Sequence, residues 1–253
     1  MIEPWIWPAA LGGLGLIFGS FIATVALRWP EGRSALRGRS QCDSCHKALR
    51  AHELVPLFSF ALQRGRCRAC GSTIHPGHLA VEIAAMLVGI AAGLVAPGWH
   101  GVAGAVFGWL LLALAALDLA AFWLPNVLTA LLALAGLVDG LFFPPNWADR
   151  IFGGLFGFGL LWLVAFTYRH VRGREGLGGG DPKMFGGIGL WLGASMLAPV
   201  LLAASIIGIA VALAARISGR EIGQERITMT SRLPLGTLLA VAAFPAWLYA
   251  TGV

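Results

Sequence analysis

Eight apolar stretches leave this chain few ways to fold; they run near residues 5–27, 79–97, 101–123, 125–143, 151–168, 184–198, 199–215 and 234–251. A bilayer core of about 30 Å asks for about 20 apolar residues per helix, and most of the stretches approach that length. Little polar sequence is left over, with 58% of the 253 residues hydrophobic and 12% charged. A water-soluble fold would lack the interior to hide so many apolar side chains and the charge to cover the rest. A secreted domain, a coiled coil and a disordered chain are excluded. The expected fold is an all-α polytopic integral membrane protein of about eight transmembrane helices. The sixth and seventh stretches are short and parted only by Pro199, and Trp123-Leu124-Pro125-Asn126 reads as a tight interfacial turn because proline stops the incoming helix.

The basic residues give the sidedness. With the N-terminus outside, nine Lys/Arg from Arg28 to Arg68 fall in one cytoplasmic loop. Arg169, Arg172, Arg174 and Lys183 follow the fifth stretch, and Arg216, Arg220, Arg226 and Arg232 follow the seventh. Only Arg150 lands outside, so 17 of 18 basic residues are cytoplasmic, as the positive-inside rule requires. The net charge of +6 therefore reports topology and contact with anionic lipid, and no nucleic-acid partner is expected. Residues 1–27 have no basic segment before their apolar run, so they read as an uncleaved N-out first helix. Residues 28–78 are the one break in composition and form a cytoplasmic loop, leaving 79–253 as the main membrane domain.

All four cysteines lie in that loop, as Cys42-Asp43-Ser44-Cys45 and Cys67-Arg68-Ala69-Cys70 separated by 21 residues. Two Cys-x-x-Cys knuckles at this separation match a four-thiolate zinc site, which would be structural because no coordination position stays open. The ion would supply folding energy that a loop of this size lacks, and the reducing face of the membrane preserves thiols. Four unliganded thiols are a blander reading. Cys42-x-x-Cys45-His46 also spells a haem attachment site, a chemistry of the opposite face.

Ionisable residues inside spans are costly and point to function by default. Asp118 interrupts an apolar run with no basic residue within 20 positions on either side, so its partner must come from another span. Asp181 opens the sixth stretch in Gly178-Gly179-Gly180-Asp181-Pro182-Lys183. The topology puts both acids at cytoplasmic ends of their spans. Two carboxylates facing one another cannot both ionise easily, which is the acid/base arrangement of an aspartic protease. The glycines before Asp181 would let a substrate backbone come close. Taken alone, these residues also fit an interhelical hydrogen bond or the proton or cation relay of a transporter. Asp139, beside Gly140, reads as a cap on its helix end; Glu82, one turn into the second stretch, either hydrogen-bonds the cytoplasmic loop or contacts substrate. There is no His-Glu-x-x-His or Gly-x-Ser-x-Gly motif. The Gly-rich run at 176–180 follows a span, not a strand, so no Rossmann site is read there.

Almost the full chain resembles the bacterial type IV prepilin peptidases, bifunctional leader peptidase/N-methyltransferases. Gly19-Ser20-Phe21-Ile22-Ala23-Thr24 resembles the family's first-span signature, with Ala23 where Asn is usual. The two cysteine knuckles, and Glu53-Leu54-Val55-Pro56-Leu57-Phe58-Ser59-Phe60 between them, are similar to its loop. Asp118 with Leu124-Pro125-Asn126 looks like the segment of the first catalytic aspartate, with Asn126 replacing an acid, and Gly178-x-Gly180-Asp181 resembles the motif of the second. Ile74-His75-Pro76-Gly77-His78 lacks the family's Arg-Tyr-Pro, and both histidines are expected at the interface. The resemblance implies an inner-membrane GxGD aspartyl peptidase of a type IV pilus or type II secretion system. It would cleave leaders of prepilins and pseudopilins after a Gly at the cytoplasmic face. It would then methylate the new N-terminus from S-adenosylmethionine, with no methyl-donor pocket assignable from the residues. Asp118 and Asp181 would be catalytic, with Gly178, Gly180, Lys183 and Glu82 near substrate. A non-catalytic pilus or secretion assembly protein is the remaining rival.

Overall fold

The computed structural model describes residues 3, 5–34, 41–42, 44–45, 47–48, 57, 60, 62–73, 76–173, 176–218 and 233–252. Of the residues singled out by sequence, Arg174, Arg220, Arg226, Arg232, His46, His75 and most of the Glu53–Ser59 stretch lie outside them. Among the described residues, eight helices of twelve residues or more follow the eight apolar stretches: α1 (Ile6–Arg28), α2 (Pro76–Val95), α3 (Trp99–Ala121), α4 (Asn126–Asp139), α5 (Trp147–Arg172), α6 (Asp181–Leu192), α7 (Leu197–Ser218) and α8 (Leu235–Gly252). No named strand is present among the described residues. Six of the helical segments are long and apolar enough to cross a membrane. The other two, α4 with 14 residues and α6 with 12, fall short of a bilayer's thickness.

The chain divides into two compact units, Met1–Ala120 with Gly252 and Ala121–Thr251. In the first, α1 and α2 pack along small residues. The buried face of α1 includes Leu11, Gly12, Gly15, Gly19 and Ile22, and that of α2 includes Ala85, Gly89 and Gly93. A Cβ on Gly19 would sit 2.7 Å from Glu82 Cα, and one on Gly89 would collide with the Leu11 carbonyl. Apolar side chains gain little from leaving lipid for one another, so such close backbone approach is what holds membrane helices together. Trp109 of α3 donates its indole N–H to the Ala85 carbonyl at 2.9 Å and stacks on Phe18 with centroids 4.8 Å apart.

In the second unit α6 packs broadly on both α4 and α5, which are not in broad contact with each other. Gly153 of α5 and Gly189 of α6 meet backbone to backbone, each occupying the space a Cβ on the other would need. Trp191 of α6 donates to the Leu132 carbonyl of α4 at 2.9 Å. The α6–α7 break falls at Gly193, with φ +76°, and not at Pro199, which lies inside α7. Proline is tolerated in a first turn because its missing amide would be an orphan there.

Arg150 is a fully buried residue in the first turn of α5. Its Nη2 pairs with Asp139 Oδ2 at 3.0 Å, and the same guanidinium donates to the carbonyls of Gly136, Leu190, Phe143 and Pro144. Asp139 thus closes the end of α4 through an ion pair, where a simple cap was expected. The planar fork of donors lets one side chain tie α4, α5 and α6 together.

Candidate active site and cysteine cluster

The cysteine loop is built from two tight turns. Cys42 N–H donates to the Lys47 carbonyl at 3.0 Å, and Cys67 N–H to that of Ser72 at 2.8 Å. Isolated antiparallel bridges, Gln41 to Ala48 and Arg66 to Thr73, close each turn. The four sulfurs lie within 4.8 Å of one another, with Cys42 and Cys70 Sγ 3.9 Å apart. A tetrahedral ion with Zn–S bonds of about 2.3 Å would place its sulfurs about 3.8 Å apart, so the cluster can hold a metal. All four thiols are free of disulfides.

The turns also divide the thiols by acidity. The Cys45 amide beside Cys42 stabilises its thiolate and brings the thiol down to about 6. The Lys47 amide acts the same way on Cys45, but desolvation and the neighbouring sulfurs outweigh it and push that thiol up to about 11. The Ser72 hydroxyl, 3.0 Å from Cys70 Sγ, lowers Cys70.

Glu82 of α2 is buried and accepts a hydrogen bond from the Leu57 amide at 3.0 Å. Of the two roles read from sequence, the described contact is to the chain's own cysteine loop. Leu57 itself has φ +58°, a left-handed conformation unusual for a residue with a branched side chain. Asp118 lies in the last turn of α3, buried in the first unit beside the fully buried Leu114 and Leu117.

Asp181 is the first residue of α6, buried in the second unit. The Gly178 amide donates to its Oδ2 at 3.0 Å, and the Asp181 amide returns a bond to the Gly178 carbonyl at 3.2 Å. Pro182 follows in the first helical turn. The carboxylate is thus held at a helix N-terminus, where the helix dipole favours negative charge. Gly180 lies against Leu124, so that a Cβ there would approach Leu124 Cβ to 2.5 Å. Lys183 Nζ donates to Asn126 Oδ1 at 2.6 Å. The Leu124-Pro125-Asn126 turn therefore meets the glycine turn at Gly180 and the first turn of α6 at Lys183. The bond between Asn126 and Lys183 leaves no signal in the sequence, because the two lie 57 positions apart.

Residues 14–95 match the bacterial peptidase A24 N-terminal domain, and residues 105–213 match the type IV leader peptidase family. A prepilin leader peptidase/N-methyltransferase of Aeromonas hydrophila is 30% identical over 276 residues, spanning 99% of this chain and 93% of that protein. One from Burkholderia pseudomallei (strain K96243) is 34% identical across 94% of this chain and 84% of its own length. One from Klebsiella pneumoniae is 36% identical across 80% and 92%. No solved structure matches the chain. With matches to both domains, and with relatives aligned over nearly their whole length, this chain belongs to the type IV leader peptidase family.

Proposed function

We propose that this chain is a bifunctional prepilin leader peptidase/N-methyltransferase of the bacterial inner membrane, with its cysteine loop and active site on the cytoplasmic face. Its substrates are prepilins or pseudopilins, in which a basic leader precedes an apolar helix. The observation that carries the reading is the buried Asp181 carboxylate, held by the Gly178 amide in a turn against which Leu124 packs. Leu124 follows Asp118 by six residues. The relatives described above bear the peptidase/methyltransferase description, and none is described as a transporter or scaffold.

Asp118 and Asp181 form the catalytic pair. The ionised member takes a proton from a water molecule, whose oxygen attacks the carbonyl carbon of the leader's last Gly. The protonated partner donates to the carbonyl oxygen, which becomes the gem-diol hydroxyl. Collapse of that intermediate breaks the C–N bond. The leader leaves as a carboxylic acid, and the proton passes to the new terminal amine. Gly178 and Gly180 line the approach of substrate backbone, and Lys183 stands beside it.

The segment 1–27 is an N-out helix, 28–78 the cysteine loop associated with methyl transfer, and 79–253 the membrane peptidase domain. Cys42, Cys45, Cys67 and Cys70 hold a structural zinc ion, whose binding energy folds the loop. S-adenosylmethionine supplies the methyl group. The test is incubation of purified protein with a prepilin and S-adenosylmethionine, followed by mass measurement. Loss of the leader and gain of one methyl group is the expected result. An unprocessed prepilin refutes the peptidase, and a processed but unmethylated product removes the second activity.

A further inference from the structure

The glycine turn before Asp181 is gripped from outside at both ends. At one end, a Cβ on Gly180 would press on Leu124. At the other, a Cβ on Gly176 would collide with the ring of Tyr168, 2.5 Å from Cδ1 and 3.0 Å from Cζ. The Gly176 backbone therefore lies directly against that ring. Between the two ends a Cβ on Gly179 would meet nothing within 4 Å, and the Gly178 amide donates to Asp181 Oδ2 at 3.0 Å.

The contact with Tyr168 depends on a reversal of the chain. Had α5 continued as a helix, residue 176 would stand about 12 Å beyond Tyr168, eight residues at about 1.5 Å each. Instead Gly173 ends α5 with φ +66°, its amide bonded to the Arg169 carbonyl, a conformation that costs glycine nothing. The chain then comes back to lay Gly176 on the Tyr168 ring.

We propose that Tyr168 is a positioning residue for leader cleavage: its ring backs Gly176 and so keeps the Gly178 amide on the Asp181 carboxylate. The inference rests on the reading of Asp181 as catalytic and adds the side chain that steadies its turn. A tyrosine near a helix end often serves only to anchor the helix at the membrane–water interface. Such an anchor needs no particular neighbour, whereas here the ring takes the space that a side chain at position 176 would need. Tyr168 is also 37% exposed, so truncating it opens no closed cavity, and the loss falls on the turn. Misplacing a catalytic group by about 1 Å can cost about a hundredfold in rate.

The test uses the full chain in lipid nanodiscs with a prepilin substrate. Tyr168→Ala is expected to lower kcat about tenfold while KM stays within about twofold, because orientation is lost and substrate binding is not. Tyr168→Phe keeps the ring carbons that face Gly176 and is expected to restore kcat to within about twofold of wild type. Phe166→Ala removes an exposed ring of the same helix that stacks on Trp162 and His170, and should cleave at the wild-type rate. Wild-type kcat in Tyr168→Ala, or a Tyr168→Phe variant as slow as Tyr168→Ala, overturns the proposal. A second arm needs no catalysis. Hydrogen–deuterium exchange of the peptide spanning Gly176–Asp181 should quicken about tenfold in Tyr168→Ala, as local opening becomes easier, and stay unchanged in Tyr168→Phe. Equal exchange in wild type and Tyr168→Ala overturns the proposal. Prepilin cut normally by Asp181→Asn refutes the catalytic reading itself, whereas an inactive Asp181→Asn beside a fully active Tyr168→Ala refutes the role of Tyr168 alone.

Discussion

Lys183 Nζ donates to the side-chain oxygen of Asn126 at 2.6 Å, joining the first turn of α6 to the first residue of α4. Two turns from distant parts of the chain are thereby fixed beside Asp181. Removing either partner, by Lys183→Met or Asn126→Ala, is expected to lower the rate of prepilin cleavage about fivefold, the equivalent of about 1 kcal/mol for one hydrogen bond. Because they share one bond, the double variant should lose little more than either single one. Additive losses in a double-mutant cycle would show that the two residues act separately.

The glycines before Asp181 are not equivalent. A Cβ on Gly180 would press to 2.5 Å on Leu124 Cβ, and one on Gly178 would reach 2.9 Å from Asp181 Oδ2, while one on Gly179 meets nothing within 4 Å. Gly180→Ala is expected to cut cleavage by tenfold or more, since overpacking of about 1–3 kcal/mol must be relieved by moving the turn. Gly179→Ala should cleave at close to the wild-type rate. Steady-state assay of the two variants side by side checks this, and equal damage from both would contradict it.

Much of this architecture is legible in sequence because membrane span length and cysteine spacing are local signals. The apolar stretches became the eight helices, and the knuckles brought four sulfurs together. Helix ends were less legible. Pro199 looks like a breaker but sits in a first turn that needs no amide, whereas Gly193 stops α6 by adopting φ +76°. Arg150 looks like a loop charge because nothing in a window of sequence places the Asp139 carboxylate and four backbone carbonyls around it. The division of the chain at Ala120 lies within an apolar helix, where composition carries no boundary signal.

The Arg150–Asp139 pair makes a stability prediction. Arg150→Met leaves a buried carboxylate and several carbonyls without their donor, and breaking one side of such a pair costs about 3–5 kcal/mol. Arg150→Lys should recover little, because an ammonium cannot span Asp139, Gly136, Leu190, Phe143 and Pro144 at once. Thermal unfolding in detergent reads both. A lysine variant as stable as wild type would show that charge, and not the fork, is what matters.

The cysteine loop should bind about one metal ion per chain, with a definite pH dependence. With its thiol at about 6, Cys42 is a thiolate at neutral pH, whereas Cys45, at about 11, still holds its proton. Metal uptake near pH 7 must therefore expel a proton, and affinity rises with pH. Acidification through 6 protonates Cys42 as well, so the metal should be lost most steeply below that value. Chelator competition at several pH values measures this. Affinity that is flat with pH, or metal retained by Cys42→Ser at wild-type levels, would contradict the four-thiolate site.

The pairing of Asp118 with Asp181 is tested by replacing each with asparagine and following leader removal from a prepilin by mass. Asparagine keeps the shape and hydrogen bonding of the side chain but cannot accept and return a proton. Both variants should insert in the membrane, retain the metal and leave the prepilin uncut. Cleavage at the wild-type rate by either Asp118→Asn or Asp181→Asn would contradict a mechanism in which these two carboxyl groups share the work.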